Sequence, residues 1–315
     1  MKKIFIFLLS ACMLICGCGK EDTGHFEASG DRERISDTDK ANPEEAFDTL
    51  PLGIALSEDI KYSALVCDFS DSIAGVTPTV EFDKWNKEQY IDNTASQNIS
   101  LVLNKKEVNG VYNNTATENG NDYLTHSYIS EGGISFGIDA DTNKMVYCFW
   151  GKSEQAKNQA LDKNACENIA KEFLSELVDV SPYTVTCKEK DGKLEFSFTK
   201  IINGIKTLDS ATVTVTKDGS LYSFHSWMLG KIPASTNIGF DTKETDMAVA
   251  AKINSIYGNA FKNYDKVDLT VRSRSFTIIE GKQAIQYYVN IDCIDILGEY
   301  ESKIGGLIEL IIFEN

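Results

Sequence analysis

The chain has 315 residues and a formal net charge of −16 at pH 7, because 47 aspartates and glutamates outnumber 31 lysines and arginines. A protein this acidic repels the phosphates of nucleic acids and of anionic lipid surfaces, which excludes nucleic-acid binding as a function. Hydrophobic residues make up 42% of the sequence, which is sufficient for a folded core.

The first 18 residues, MKKIFIFLLSACMLICGC, begin with two lysines, continue as a short apolar run and end at Gly17-Cys18. The apolar run is far shorter than the roughly 20 residues that cross a bilayer, so it is typical of a cleavable signal peptide. The small residue before Cys18 resembles the lipobox of bacterial lipoproteins. That resemblance implies a signal peptide over residues 1–17, lipid attachment at Cys18 and a membrane anchor on the outer face of the cytoplasmic membrane.

The segment that follows Cys18 carries many charges of both signs and few large apolar side chains. Such a segment cannot bury enough surface to offset the entropy of ordering it. We therefore predict a disordered tether over residues 18–49. About 265 residues remain after the tether, enough for more than one small domain.

The sequence contains eight cysteines, and three of them lie in the signal and lipobox. The others are Cys67, Cys148, Cys166, Cys187 and Cys293. A disulfide framework favours an even number at close spacing, and a zinc site favours pairs two to four residues apart. Neither pattern is present, so we expect free cysteines that fill the core.

Residues 50–151 are interpreted as a divergent α+β module. Their last part alternates apolar and polar residues on both sides of a polar turn and closes at Trp150. The stretch Ala211–Trp227 shares an alternating strand, a polar turn and a closing tryptophan. This similarity suggests a weak internal repeat.

Residues 152–232 begin with apolar side chains at helical spacing from about Leu161, and Ser181-Pro182 prevents the helix from continuing. Four alternating segments follow, separated by Asp191-Gly192, Asn203-Gly204 and Asp218-Gly219. Those dipeptides tolerate the positive φ angles of tight hairpins. The pattern predicts a helix packed on a four-stranded antiparallel meander.

Residues 240–315 repeat this order, with a helix from Lys243 to Gly258 and alternating strands after it. The last segment, Leu307–Phe313, is apolar on both faces, which predicts a central or covered strand. The predicted fold class is therefore α+β, with two or three repeated modules, each a helix packed on an antiparallel β-meander.

The middle module resembles a known family. Its family-like segments are Ala165–Leu174, Glu195–Phe198, Asn203-Gly204, Thr212–Val215 and Asp218–Leu221. They are similar to the PepSY-type, YcdB-like repeat of exported bacterial proteins. The resemblance implies a non-enzymatic envelope module that holds or inhibits peptidases or senses a ligand. It supplies no catalytic residues and implies no cofactor.

Gly133-Ile134-Ser135-Phe136-Gly137 matches the G-x-S-x-G pattern of serine hydrolases, and His225 downstream is a conceivable base. A nucleophile elbow requires a helix after the serine, whereas here a second strand follows a polar turn. The serine hydrolase remains an alternative, and it requires Ser135 and His225 to meet in a pocket with a carboxylate.

Asp139, Asp141 and Asn143 resemble the start of a calcium loop. Lys144 stands where such a loop requires glycine, and Trp150 stands where it requires a bidentate glutamate. The segment therefore reads as a hairpin turn. His25, His126 and His225 lack the spacing of metal ligands, so we expect no metal site.

We expect a non-enzymatic, membrane-anchored extracytoplasmic lipoprotein that binds an envelope protein or peptide partner and modulates a peptidase or a sensor. An open strand edge would offer an extended peptide a place to add. A solute-binding lipoprotein of a transporter is a further alternative. It would have two lobes of parallel βαβ units, against which the hairpin dipeptides argue.

Overall fold

A computed structural model of the protein describes residues 48–55, 61–67, 73–84, 87–103, 106–118, 124–150, 160–297 and 300–315. These residues belong to one compact unit. In chain order, the elements are β1 (Tyr62–Cys67), β2 (Lys87–Tyr90), β3 (Asn98–Leu103), β4 (Lys106–Glu118), β5 (Leu124–Ser130), β6 (Ser135–Asp139), β7 (Met145–Phe149), α1 (Lys163–Ser175), β8 (Tyr183–Lys190), β9 (Lys193–Ile202), β10 (Ile205–Thr216), β11 (Leu221–Trp227), α2 (Thr242–Phe261), β12 (Lys266–Ile279), β13 (Lys282–Leu297) and β14 (Tyr300–Glu314).

All of these strands join one 14-stranded sheet. Its main path runs β1-β14-β13-β12-β10-β11-β7-β6-β5-β4-β2, with β3 paired to β4 and with β8 and β9 extending from β10. The described pairs are antiparallel, apart from one parallel bridge between Thr207 of β10 and Phe276 of β12. The sheet is therefore mixed, with hairpins as its main building unit.

The predicted fold class is wrong. We expected two or three separate helix-on-meander modules, whereas the described strands form one large mixed sheet that carries two helices. Two contacts cause the difference: β7 pairs with β11 through Tyr147 and His225, and Thr207 bridges to Phe276. Hydrophobic periodicity identifies strands but does not identify which edges of different hairpins meet. In addition, no helix occurs among the described residues before position 151.

Both helices lie where the sequence predicts helices. Asp162 and Asp241 cap their first turns, accepting hydrogen bonds from the Ala165 and Glu244 amides. Side chains of this type satisfy amide groups that have no partner inside the helix. The second helix continues past Gly258, the predicted stop, because Phe261 is buried against the core. Among the described residues, neither helix is long and apolar enough to span a membrane.

Each helix belongs to a hydrophobic cluster of its own. The first cluster joins α1 to β9, β10 and β11 and contains the buried rings of Phe173, Phe196 and Phe224. The second joins α2 to β1 and the strands after α2, with Tyr257 and Tyr287 among its largest buried side chains. Burial of this apolar surface is the main force that holds each helix on the sheet.

Several local predictions are confirmed. Asp191-Gly192 and Asn203-Gly204 form tight turns in which both residues have positive φ angles, between 51° and 80°. The apolar segment Leu307–Phe313 lies in β14, which is flanked by β13 and β1. The predicted domain boundaries, 1–17, 18–49, 50–151, 152–232 and 240–315, stay predictions.

Candidate binding surface

The outer face of the sheet, opposite α1, carries an aromatic patch where β7 meets β11. The aromatic patch consists of Tyr147, Phe149, Tyr222, His225 and Trp227. The Phe149 and Tyr222 rings meet edge to face at 5.2 Å, and the His225 and Trp227 rings do so at 5.1 Å. All five side chains are half-buried. Each of these two ring pairs is stabilised by its edge-to-face contact, so the patch is a packed aromatic surface.

Tyr147 lies across the neighbouring strand because its cross-strand partner is a glycine. A Cβ atom on Gly137 would lie only 2.2 Å from the Tyr147 ring. The ring therefore fills the space that a side chain would occupy, and its hydroxyl donates a hydrogen bond to Ser127 Oγ at 2.9 Å. This pairing fixes the orientation of the Tyr147 ring.

The structure does not bring Ser135 and His225 together. Ser135 pairs with Phe149 of β7, while His225 pairs with Tyr147 of the same strand. The two residues share the outer face, but β7 lies between them, and strand spacing puts their Cα atoms about 12 Å apart. Burial lowers the pKa of His225 below its usual value. Ser135 lies in a strand followed by a hairpin, as predicted.

The calcium-like segment forms the hairpin turn that the sequence predicts, between β6 and β7. Asp139 Oδ1 accepts hydrogen bonds from the amides of Asp141 and Thr142, and Asp139 Oδ2 lies 2.6 Å from Lys231 Nζ. Burial would raise the pKa of Asp139, but Lys231 and Thr142 outweigh it and hold the pKa below its ordinary value. This carboxylate therefore has a structural role in the turn.

The remaining predicted residues fall into two groups. Cys18 and His25 lie outside the described residues, as does most of the predicted tether. Of the cysteines after the lipobox, Cys187 is half-buried and the others are buried, which fits the predicted core packing. Burial raises the pKa of the Cys148 thiol to about 12. Within the described ranges, no cluster of three metal-binding side chains occurs.

The strand β8 forms an open edge of the sheet. Among the described residues, it pairs with β9 alone. The Tyr183 amide donates to the Val180 carbonyl rather than to β9. Hydrogen-bonding direction alternates along an antiparallel strand, so the backbone groups of Val185, Cys187 and Glu189 also point away from β9. We call the residues from Tyr183 to Glu189 the β8 edge.

The inner side of the β8 edge is apolar and lies beside α1. Val185 and Cys187 are half-buried and pack against the cluster that contains α1. Burial raises the pKa of Cys187; Lys163 opposes this shift, and Glu167 and Glu189 add to it. A strand added to the β8 edge would therefore place side chains beside apolar Val185 and Cys187, with charged side chains around them.

A buried polar network, which sequence reasoning missed, holds the start of β8. The Tyr183 hydroxyl donates a hydrogen bond to Asp209 Oδ1, and Lys200 Nζ lies 2.9 Å from Asp209 Oδ2. The amides of Gly230 and Ile232 donate to the same carboxylate. Burial and Asp209 raise the pKa of Tyr183. In β9 and β10 the residues alternate between inward-facing and outward-facing positions, and Lys200 and Asp209 stand at inward-facing ones. That placement could have indicated a buried polar network.

A concave surface lies at the C-terminal end of α2. Residues 73–84 and Tyr257 line an open groove of about 740 Å³. Thr79 holds the segment to the helix, since its hydroxyl donates to the Ile256 carbonyl at 2.6 Å. The groove is broad and open, and its lining shows no concentration of charge.

Comparison with known proteins places the β8 edge and the aromatic patch in one matched segment. The family of the YcdB, YcdC repeated domain matches residues 88–227. No curated protein matches the chain. Two solved structures are similar: the Bacillus megaterium YpeB C-terminal domain, and an uncharacterized protein from Eubacterium rectale. The first is 14% identical, with 70% of this chain and 89% of that chain covered and a TM-score of 0.30. The second is 9% identical, with 83% and 85% covered and a TM-score of 0.30. Residues 88–227 are thus similar to the YcdB, YcdC repeated domain, which confirms the YcdB-like part of the resemblance.

Proposed function

We propose that the protein is a non-enzymatic binding module that adds an extended segment of a partner protein or peptide to the β8 edge. The observation that carries this proposal is the direction of the backbone groups of Val185 and Cys187, which face away from β9. Strand addition uses such groups for affinity and uses alternate side-chain positions for specificity.

The surroundings of the β8 edge support an apolar ligand segment. Alternate side chains of an added strand would lie over Val185 and Cys187, next to α1. Glu167 and Glu189 near Cys187 form ion pairs with Lys171 and Lys217, so these carboxylates are already matched by positive charge. Lys190, the residue after the β8 edge, discourages addition beyond Glu189.

The proposed place of action is the outer face of the cytoplasmic membrane, with lipid on Cys18 as the anchor. The lipobox-like sequence supports this part of the proposal. A signal peptide over residues 1–17 would deliver the chain, and residues 18–49 would act as the tether. The family resemblance makes an envelope peptidase or a sensor the target that binding would modulate.

Two alternatives fit less well. A hydrolase needs its nucleophile and base within hydrogen-bond reach, whereas β7 separates Ser135 from His225. A solute-binding lipoprotein needs two lobes of parallel βαβ units, whereas the described strand pairs are antiparallel apart from one bridge. Binding without catalysis is therefore the proposal that the geometry supports best.

The experiment is photo-crosslinking in living cells. A photoreactive amino acid at Thr186, which is exposed on β8, should capture a discrete partner. Val185→Pro removes an amide that faces the open edge and leaves the β8–β9 hydrogen bonds in place, so it should abolish the adduct. The matched control carries the probe at Thr214 in β10, away from the edge. An adduct that survives Val185→Pro in a folded protein, or that appears equally from position 214, would contradict the proposal.

The anchor is tested separately with Cys18→Ala. We expect this variant to leave the membrane fraction and to lose the adduct, because lipidation raises the local concentration of protein near a membrane partner. Membrane association that is unchanged in Cys18→Ala would overturn the anchor while leaving the β8 proposal open to its own test.

A further inference from the structure

The hairpin of β13 and β14 extends beyond both neighbouring strands. The two strands pair from Ala284↔Phe313 to Leu297↔Tyr300, but β12 reaches only Ile294 on one side. On the other side, β1 reaches only Glu309, and Ala74 bridges to Gly305. Among the described residues, the stretch from Tyr300 to Ile304 therefore pairs on one side alone. We call this stretch the arm edge.

The backbone groups of Glu301 and Lys303 point toward the open side of the arm edge. The Ile296 amide donates to Asp265 Oδ2 at 2.7 Å, so it faces away from β14. Ile296 pairs with Glu301, which makes that pair a non-hydrogen-bonded one within the hairpin. The outward direction then recurs at every second residue. The Ala74 bridge to Gly305 lies on this same side and agrees with the assignment.

The end of the β13–β14 hairpin, at the start of the arm edge, is unusually apolar for a surface. Tyr300 is 80% exposed, Leu297 is 67% exposed and Ile296 is 52% exposed. An exposed apolar end on a strand with unpaired backbone groups is a template for pairing with another chain. The arm edge also carries charges of both signs, at Glu301 and Lys303.

The arm edge, Tyr300-Glu301-Ser302-Lys303-Ile304, is complementary to itself. When two copies run antiparallel about a two-fold axis at Ser302, Glu301 of each lies opposite Lys303 of the other. Tyr300 of each copy then lies opposite Ile304 of the other. Opposite charges and apolar pairs directly across strands both stabilise a sheet. We propose that a second copy of this chain is the occupant of the arm edge, in a two-fold antiparallel strand pair.

The direction of the backbone groups selects this register. Hydrogen bonding requires the outward residues of one copy, Glu301 and Lys303, to face outward residues of the other. Moving the axis to Glu301 would place two glutamates opposite each other, and moving it to Lys303 would do the same with two lysines. Like charges directly across strands are destabilising. The Ala74 bridge ends the open stretch at Gly305, so only the Ser302 axis pairs all five residues.

Charge exchange tests the proposal with the full-length chain in mild detergent. In Glu301→Lys, each lysine at position 301 faces Lys303 of the other copy, and in Lys303→Glu two glutamates face each other. We expect the unaltered chain to show a dimer in sedimentation velocity, each variant alone to lose it, and an equimolar mixture to regain it as a heterodimer. Lys303→Glu also removes the ion pair between Lys303 and Asp292, which lie 2.7 Å apart. Glu301→Lys keeps that ion pair, so its effect on the dimer is free of this second change.

Three outcomes would overturn the proposal: an unaltered chain that stays monomeric, variants that dimerise as well as it does, or a mixture that does not recover. The variants are surface changes, and their folding is checked by circular dichroism. These results are independent of the β8 edge, because the exchanged residues lie on a different strand.

A covalent variant measures the position of the axis directly. Ser302 faces its own copy in a non-hydrogen-bonded pair, where Cα atoms lie close enough for a disulfide. With diamide as oxidant, two Ser302→Cys thiols give one disulfide, and the two electrons and two protons pass to diamide, forming the hydrazine. We expect a cross-linked dimer from Ser302→Cys and none from Ser175→Cys, an exposed position at the end of α1. Equal cross-linking of both variants would contradict the two-fold axis.

Discussion

Lys200 and Asp209 form an ion pair inside the protein, with 2.9 Å between Lys200 Nζ and Asp209 Oδ2 and with the Asp209 side chain fully shielded from solvent. The pair joins β9 to β10, and its remaining hydrogen bonds reach β8 and the segment after β11. A buried charge needs this degree of compensation, because taking it out of water is costly. The same network positions the first residue of the β8 edge.

Removing one member of the ion pair should destabilise the protein strongly. In Asp209→Asn, the Lys200 ammonium stays buried without its counter-charge, and we expect a loss of about 3–5 kcal/mol in the free energy of unfolding. Urea denaturation followed by circular dichroism measures this loss. Glu189→Gln, at the exposed pair with Lys217, is the control and should change stability by less than about 0.5 kcal/mol. Similar effects of both variants would contradict the structural role of the buried pair.

The Asp139 ion pair predicts a loss of stability in acid. The pKa of Asp139 is lower in the folded protein than its ordinary value of 3.8. The contribution of Asp139 to the free energy of unfolding is therefore complete above pH 3.8. It is lost as the pH falls through the lower pKa that Asp139 has in the folded protein. The stability difference between the unaltered chain and Asp139→Asn should be largest near neutral pH and should shrink below about pH 4. A difference that stays constant from pH 7 to pH 3 would exclude this contribution.

His225 should titrate below the ordinary histidine range. Burial lowers its pKa from 6.5 in the folded protein, so the neutral ring is favoured and stability falls as the pH drops below 6.5. Proton NMR titration of the imidazole signal, assigned with His225→Gln, measures the value. A pKa above 6.5 would indicate a carboxylate partner, as the hydrolase alternative requires, and would count against the non-enzymatic proposal.

The packing of Tyr147 over Gly137 predicts coupling between these two residues. Gly137→Ala places a methyl group into the Tyr147 ring, and we expect a loss of about 1–3 kcal/mol. In Tyr147→Ala the ring contacts are gone and the contact with Thr125 Cγ2 at 2.8 Å remains, so adding Gly137→Ala to that variant should cost less than it does in the unaltered chain. A double-mutant cycle by urea denaturation measures the coupling. Additive losses would mean that the cost of Gly137→Ala does not come from the Tyr147 ring.

Local elements follow from the sequence, because their causes are local. Apolar spacing and the caps at Asp162 and Asp241 determine both helices, and the Asp191-Gly192 turn requires residues that tolerate positive φ angles. The union of the hairpins into one sheet depends on edges that meet across long sequence separations, such as Thr207 with Phe276. No periodic pattern contains that information.

The candidate binding surface also has features that the sequence predicts and features that depend on long-range strand pairing. Open strand edges could be anticipated from the meander, but the identity of the open strand depends on which hairpins join. Lys200 stands at an inward-facing position of β9, which indicates that a buried partner must compensate its charge. The sequence pattern does not identify Asp209 as that partner. Ser135 and His225 show the reverse error, since a sequence pattern suggests a pair that strand register keeps apart.

The most direct test of strand addition at β8 is amide hydrogen exchange at single-residue resolution, by NMR. The peptide segment that position 186 captures is synthesised and added to the purified protein. We expect new protection of the Val185 and Cys187 amides, with little change at Thr184 and Thr186, which already bond to β9. Unchanged exchange at Val185 and Cys187, with new protection confined to the groove of residues 73–84, would contradict strand addition at β8.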